Sequence, residues 1–301
     1  MRYNVCSISF RHTLISFREL FRFALESGFG GIEMWGVHAK SLLQTGTTRL
    51  DETVREMNAE GVRVSMISHY LELTAPPERY PETERNCMEL IDLANRFGTD
   101  KIRIFAGVRA SARTTASEWQ LGIDRLRTFA EFARINGMRL VVETHPHTFA
   151  DTLPSTLRLL RETNHPSIGI NLDFLHLWEA GVSPTDAFEA LRPWTVNVHL
   201  KNVTDRGSLH VFDPNNVYSP NGWRGGIAVL SDGAVPYEEI VRMLAEAAPD
   251  MSASIEWFGS EPHLNVRREL DWLRSVEFSL PPGTAAPSKR NKSLPVGIGR
   301  R

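Results

Sequence analysis

Cysteine is nearly absent: Cys6 and Cys87 are the only two in 301 residues, far apart and in no metal-binding or redox spacing. That excludes a disulfide framework and suits a reducing compartment, with both thiols expected as buried apolar side chains. Long apolar runs are missing as well. No stretch approaches the ~18 residues needed to cross a bilayer, and residues 1–10 are too polar and too few for the core of a signal peptide. A soluble, cytoplasmic protein without a membrane partner is therefore expected. Neither charge is in surplus: 34 Lys and Arg against 36 Asp and Glu leave a formal net charge of −2, with no electrostatic footprint for nucleic acid. A small-molecule partner is expected instead. The turn after the first apolar run, Ser7-Ile-Ser-Phe-Arg-His12, contains no glycine, which argues against the phosphate-binding turn of an open, doubly wound sheet.

What the chain does have is alternation. Strand-like runs at 2–8, 31–34, 63–67 and 101–105, followed by runs ending at 143, 173, 199 and 256, alternate with amphipathic helices at 17–26, 50–59, 81–97, 117–135, 154–162, 184–191, 237–247 and 263–275. Gly28, Gly61, Gly98 and Gly137 stop four of these helices, and proline opens two others at Pro154 and Pro184. Eight such units with right-handed crossovers close into a single (β/α)₈ TIM barrel, expected over residues 1–278, with its active site at the C-terminal ends of the strands. The connection 201–235 is longer than the ~15 residues of an ordinary loop and carries Phe212, Tyr218 and Trp223, so it is expected to fold as a lid. After Pro281 the composition turns to Pro, Gly, Ser and Ala with five basic residues and no acid. The segment 279–301 is accordingly expected to be a disordered basic tail. Apolar surface helices, common in barrels, leave a homodimer as the expected association.

The chemistry gathers at the strand ends. Glu143, Asp173, His199 and Glu256 each close an apolar run, which places three carboxylates and an imidazole at four successive strand ends. Carboxylates so arranged repel one another unless a cation lies between them. The expected cofactor is one divalent metal, Mn²⁺ for preference, with Mg²⁺ or Co²⁺ also suited to this oxygen-rich set. His145 lies two residues past Glu143, hence on the same face of the strand, and is expected to be the general acid/base; His176, three past Asp173, reaches the same mouth. Lys201 points inward beside the metal, where only an anion makes a lysine tolerable. Arg103 sits mid-strand between apolar residues, so it must meet a buried acid, with Glu33 a candidate, or bind a substrate carboxylate in two parallel hydrogen bonds. Arg11, Trp35 and Tyr70 follow strands one to three and are expected to line the pocket.

Glu143-Thr-His-Pro146, Asn171-Leu-Asp-Phe-Leu-His176 and Val198-His-Leu-Lys201 resemble the xylose-isomerase-like barrel superfamily of sugar isomerases, epimerases and endonuclease IV. Cys6-Ser-Ile-Ser-Phe-Arg-His12, Gly31-Ile-Glu-Met-Trp-Gly36, Lys101-Ile-Arg-Ile-Phe-Ala-Gly107, Leu209-His-Val-Phe-Asp-Pro-Asn-Asn-Val-Tyr218 and Glu256-Trp-Phe-Gly259 narrow the resemblance to the 3-dehydroshikimate dehydratases of petrobactin siderophore biosynthesis. His69 departs from that family's pattern, which has an acid there. The resemblance implies dehydration of 3-dehydroshikimate to protocatechuate, through an enediolate stabilised by the metal and loss of the β-hydroxyl as water. It implies that His145 takes the C4 proton and that Arg103 holds the substrate carboxylate. Tyr70 and Lys201 would supply polar contacts, while Phe258 packs on the ring and Phe212 and Arg11 stand nearby. A sugar or keto-polyol isomerase on the same metal site is the alternative, and a neutral sugar would leave Arg103 without a carboxylate.

Overall fold

A computed structural model describes residues 1–44 and 47–279. The expected basic tail, apart from Ser279, lies outside the described residues. Every stop signal read from glycine is realised as a helix end. The helix α1 (Phe17–Ser27) follows the strand β1 (Arg2–Cys6) and opens on a capping box, in which Ser16 and Glu19 each bond the other's backbone N–H. It closes on Gly28 in the left-handed conformation at φ 83°, which glycine alone adopts without strain. Then come β2 (Gly31–Trp35), α2 (Gly36–Gln44), α3 (Thr47–Ala59), β3 (Arg63–Ser68), α4 (Tyr80–Phe97) and β4 (Lys101–Ile104). The second capping box, Thr115 with Glu118, starts α5 (Ala116–Ile135), which leads to β5 (Arg139–Glu143). Next are α6 (Leu153–Thr163), β6 (Ile168–Asp173), α7 (Phe174–Glu179), α8 (Pro184–Leu191) and β7 (Thr195–Leu200).

The long connection is folded, as its aromatic residues suggested. A short antiparallel pair, β8 (Asn202–Val203) and β9 (Ile227–Ala228), closes its base, and a 3₁₀ segment (Arg206–Phe212) and α9 (Pro214–Val217) lie between them. The chain ends in α10 (Tyr237–Ala247), β10 (Ser252–Ile255) and α11 (Pro262–Phe278).

Eight parallel strands close in the order β1-β10-β7-β6-β5-β4-β3-β2. Because side chains alternate along each strand, one set packs outward under the helices and the other fills the barrel. The outward set, including Ile32, Ile102, Ile104, Leu140, Val142, Ile170 and Val198, belongs to one continuous apolar core. The inward set is unusually polar for a fold whose interior is commonly filled by branched aliphatics. Asn197 donates to Asn171 (2.8 Å) and Ser254 (3.3 Å), and Asn171 donates to Glu143 (3.3 Å), so a hydrogen-bonded string rises through the barrel to a carboxylate at its mouth. Strand register shifts beside Glu33 and beside Asn171, and such bulges re-aim side chains close to active sites.

Candidate active site

The strand ends deliver their carboxylates as expected. Glu143 and Asp173 close β5 and β6, His199 is the penultimate residue of β7, and Glu256 follows β10 by one residue. All four are buried. His199 lies at the centre. Its Nδ1 makes no hydrogen bond and faces Glu143 Oε1 at 3.5 Å, Glu256 Oε2 at 3.7 Å and Asp173 Oδ2 at 3.9 Å. Its Nε2 lies 3.0 and 3.1 Å from the two oxygens of Glu33, whose carboxylate also accepts a hydrogen bond from Ser68. A carboxylate on the far nitrogen fixes the tautomer and aims the near one, the arrangement usual behind a metal-binding histidine.

Charge counting tests whether a cation belongs there. Glu33, Glu143, Asp173 and Glu256 are four buried acids, while Arg103 and Lys201 are the permanently charged bases buried with them. With His199 neutral the cluster carries a surplus of two negative charges, which one divalent ion cancels. Burial alone would lower the His199 pKa, but Glu33, Glu143 and Glu256 outweigh it and push the ring well above its ordinary value. The same field that would protonate the imidazole attracts a metal to Nδ1. These residues fit a divalent metal, and the ligating atoms of Glu143, Asp173 and His199 all lie within 4.8 Å of one another.

Above the cluster opens a cavity of about 470 Å³. Its walls include Arg103, Trp35, Tyr70, His145, His176, Lys201, Phe212 and Phe258, all expected there, together with Ile8, Val217 and Tyr218, which had no expected place in the pocket. Lys201 Nζ bridges Asp173 Oδ2 at 2.8 Å and Glu256 Oε2 at 2.7 Å. Burial disfavours its charge, yet these two acids hold its pKa well above the ordinary range. Arg103 pairs through Nε with Glu143 Oε2 at 2.8 Å and not with Glu33, which turns to His199 instead. Its buried Nη1 makes no hydrogen bond. Burial opposes the guanidinium charge, but Glu143, Tyr70, Glu33 and Glu256 together outweigh it, so the group stays ionised. Glu143 in turn is held well below the carboxylate range: burial would raise it, and Arg103 and His199 overcome that.

His145 is pushed down to about 3, first by burial and then by His176, so it stands as a neutral imidazole. Its Nδ1 is 2.8 Å from the carbonyl of Pro146 and must donate there, which leaves the lone pair on Nε2. The ring packs between Phe105 and His176, centroids 4.3 and 4.5 Å away. His176 is oriented by Glu179 (Nδ1 to Oε2, 3.1 Å), and its Nε2 makes no hydrogen bond. Arg11 requires a correction. It was expected at the substrate, but its guanidinium donates to the backbone carbonyls of Val217 (2.8 Å) and Phe258 (3.0 Å), and it fastens the long connection to the end of β10.

The chain belongs to the xylose isomerase-like TIM barrel family, whose pattern matches residues 21–276. Within that class it is 45% identical over 276 residues to the 3-dehydroshikimate dehydratase of Bacillus anthracis, an alignment that covers 91% of this chain and 96% of that protein. It superposes with a TM-score of 0.87 on the crystal structure of the probable 3-DHS dehydratase involved in petrobactin synthesis from the same organism, at 43% identity, covering 91% of this chain and 99% of the other. An inosose dehydratase of Clostridium botulinum is 22% identical over 232 residues, covering 73% of this chain and 74% of that protein.

Proposed function

We propose that this protein dehydrates 3-dehydroshikimate to protocatechuate in the cytoplasm, using a divalent metal, Mn²⁺ for preference, held by Glu143, Asp173, His199 and Glu256. The observation that carries the reading is the pairing, in one cavity, of a carboxylate-rich metal cage with a buried guanidinium whose Nη1 has no hydrogen-bond partner. The resemblance to two dehydratases of carbocyclic ketones, one of them 45% identical, points the same way. Three carboxylates and one imidazole make a hard donor set that favours Mn²⁺ or Mg²⁺ over softer ions.

When bound, the cation supplies Lewis acidity to adjacent oxygens of the substrate and so acidifies the hydrogen between them. The chain's residues do the rest. Arg103 receives the ring carboxylate and sets which carbon faces His145. His145 takes the C4 proton on Nε2; being neutral, it is ready to accept it. The C4–C5 double bond then forms as the C5 hydroxyl departs, and the imidazolium returns the proton to that leaving oxygen, releasing water. Tautomerisation, with one of the two C6 protons lost and the C3 carbonyl oxygen gaining one, completes the aromatic ring. Lys201 stays ionised against Asp173 and Glu256 and offers a hydrogen bond to developing negative charge on oxygen. Phe212 and Phe258 pack an apolar wall on the ring.

A neutral keto-polyol gives Arg103 nothing to bind. Arg103→Ala should therefore lower kcat/KM on 3-dehydroshikimate by about 10²-fold or more, because it removes a charge-assisted pair. Steady-state kinetics on metal-loaded protein check this, and a variant with full activity on 3-dehydroshikimate would remove Arg103 from the carboxylate-binding role.

A further inference from the structure

The long connection does more than cover the barrel, because it presents one aromatic side chain in a highly determined position. The Tyr218 ring stacks on Trp35, with centroids 5.9 Å apart and planes 12° apart, and its hydroxyl lies 2.8 Å from that of Tyr70. Tyr70 in turn lies over the Arg103 guanidinium at 5.7 Å. The end of the cavity that contains Arg103 is therefore walled by a hydrogen-bonded tyrosine pair backed by an indole.

The backbone carrying Tyr218 is held by three cationic or potentially cationic side chains that spend their donors on carbonyl oxygens. Arg11 Nε and His12 Nε2 reach the Val217 carbonyl at 2.8 and 3.1 Å, from the loop after β1. Arg224, from the same connection, donates to the carbonyls of Asn216 (2.8 Å), Val217 (3.3 Å) and Ser219 (2.7 Å). Neither Arg11 nor Arg224 has an ion-pair partner among the described residues. A loop gripped by such donors at Asn216, Val217 and Ser219, on either side of Tyr218, has lost its freedom before any ligand arrives, which is how preorganisation raises affinity.

We propose that Tyr218 is the specificity-determining residue of the pocket, selecting a flat carboxylated ring, and that Arg11, His12 and Arg224 are the positioning residues that hold it there. The inference rests on the proposed function. With Trp35 and Phe258, Tyr218 makes a wall that suits the faces of a ring with few hydroxyls, while its hydroxyl and that of Tyr70 are the polar groups placed beside a carboxylate on Arg103. A fully hydroxylated keto-polyol would leave hydroxyls unpaired against that wall, the more expensive kind of mismatch.

The test compares wild type with Tyr218→Phe, Tyr218→Ala and Arg224→Gln, each metal-loaded, in turnover of 3-dehydroshikimate and in equilibrium binding of protocatechuate. Tyr218→Phe removes one hydrogen bond and should raise KM by about fivefold while lowering kcat by a smaller factor. Tyr218→Ala loses the stack as well and should raise both KM and the protocatechuate Kd by roughly tenfold or more, with a narrowed preference over an inosose. Arg224→Gln should shift KM in the same direction, and Arg224→Lys should recover part of the loss. If Tyr218→Ala unfolds, Tyr218→Phe, which keeps the ring, decides. Variants within about twofold of wild type in both KM and Kd, at equal metal content, would overturn the role of Tyr218 and leave the dehydratase standing. A wild-type protein that neither converts 3-dehydroshikimate nor binds protocatechuate would overturn the proposed function and this inference with it.

Discussion

Two residues have roles set by which ring nitrogen is free. For His145 the hydrogen bond from Nδ1 to the Pro146 carbonyl leaves Nε2 unprotonated, and burial keeps the ring neutral. His145→Ala should lower kcat by about 10²- to 10⁴-fold, the usual contribution of a positioned base, with metal content unchanged by elemental analysis. If His176→Ala were the more damaging of the two, the base would have to be reassigned. For His199 the orienting group is Glu33, and Glu33→Gln should weaken metal affinity by about 10- to 100-fold in a competitive chelator titration, before any effect on turnover is considered. Unchanged affinity would reduce Glu33 to a core residue. That Glu143, Asp173, His199 and Glu256 gather at the strand ends was legible from sequence because each ends an apolar run. Glu33 was not, since it sits inside Gly31-Ile-Glu-Met-Trp35 and its partners Ser68 and His199 come from other strands. Arg11 was misjudged for the same kind of reason: the side chain was placed near the mouth correctly, but its partners are backbone carbonyls, which leave no mark in a sequence.

At the level of elements, periodic helices and apolar strands were readable, and short or interrupted pieces were not. The helices α2 and α7 passed unnoticed: α7 has six residues and starts directly from β6, with Asp173 as its cap, so no loop signal separates the two. The long connection was recognised by length and aromatic content, yet its anchors are distant. Asn202 donates to the carbonyls of Leu230 and Val235 and accepts from the Val235 N–H, and Glu269 of α11 accepts the Leu230 N–H at 3.0 and 3.1 Å. Burial raises the Glu269 pKa to about 8 from 4.5, despite the Leu230 N–H that favours its anion. An acid raised on folding contributes its stability fully below pH 4.5 and loses it as pH rises through about 8. Thermal melts between those limits should show wild type losing stability with rising pH and Glu269→Gln following a flatter curve. Parallel curves would mean that Glu269 titrates normally.

For the whole molecule, the barrel followed from eight repeats of one physical pattern, and the absence of a glycine turn after β1 disposed of the open sheet. What composition could not convey is that the barrel interior is itself polar. Asn171, Asn197 and Ser254 alternate with apolar residues in their strands and look unremarkable until closure brings them together. Closure also gathers four carboxylates around one histidine, so the acid-rich site is a product of the fold itself. The most direct measurement follows aromatic absorbance when purified protein meets 3-dehydroshikimate, with Mn²⁺ and then with EDTA. The expected result is a rise that requires the metal, stops on chelation and resumes when Mn²⁺ is restored. No aromatic product from protein with metal demonstrably bound, or equal rates with and without EDTA in metal-stripped protein, would contradict it.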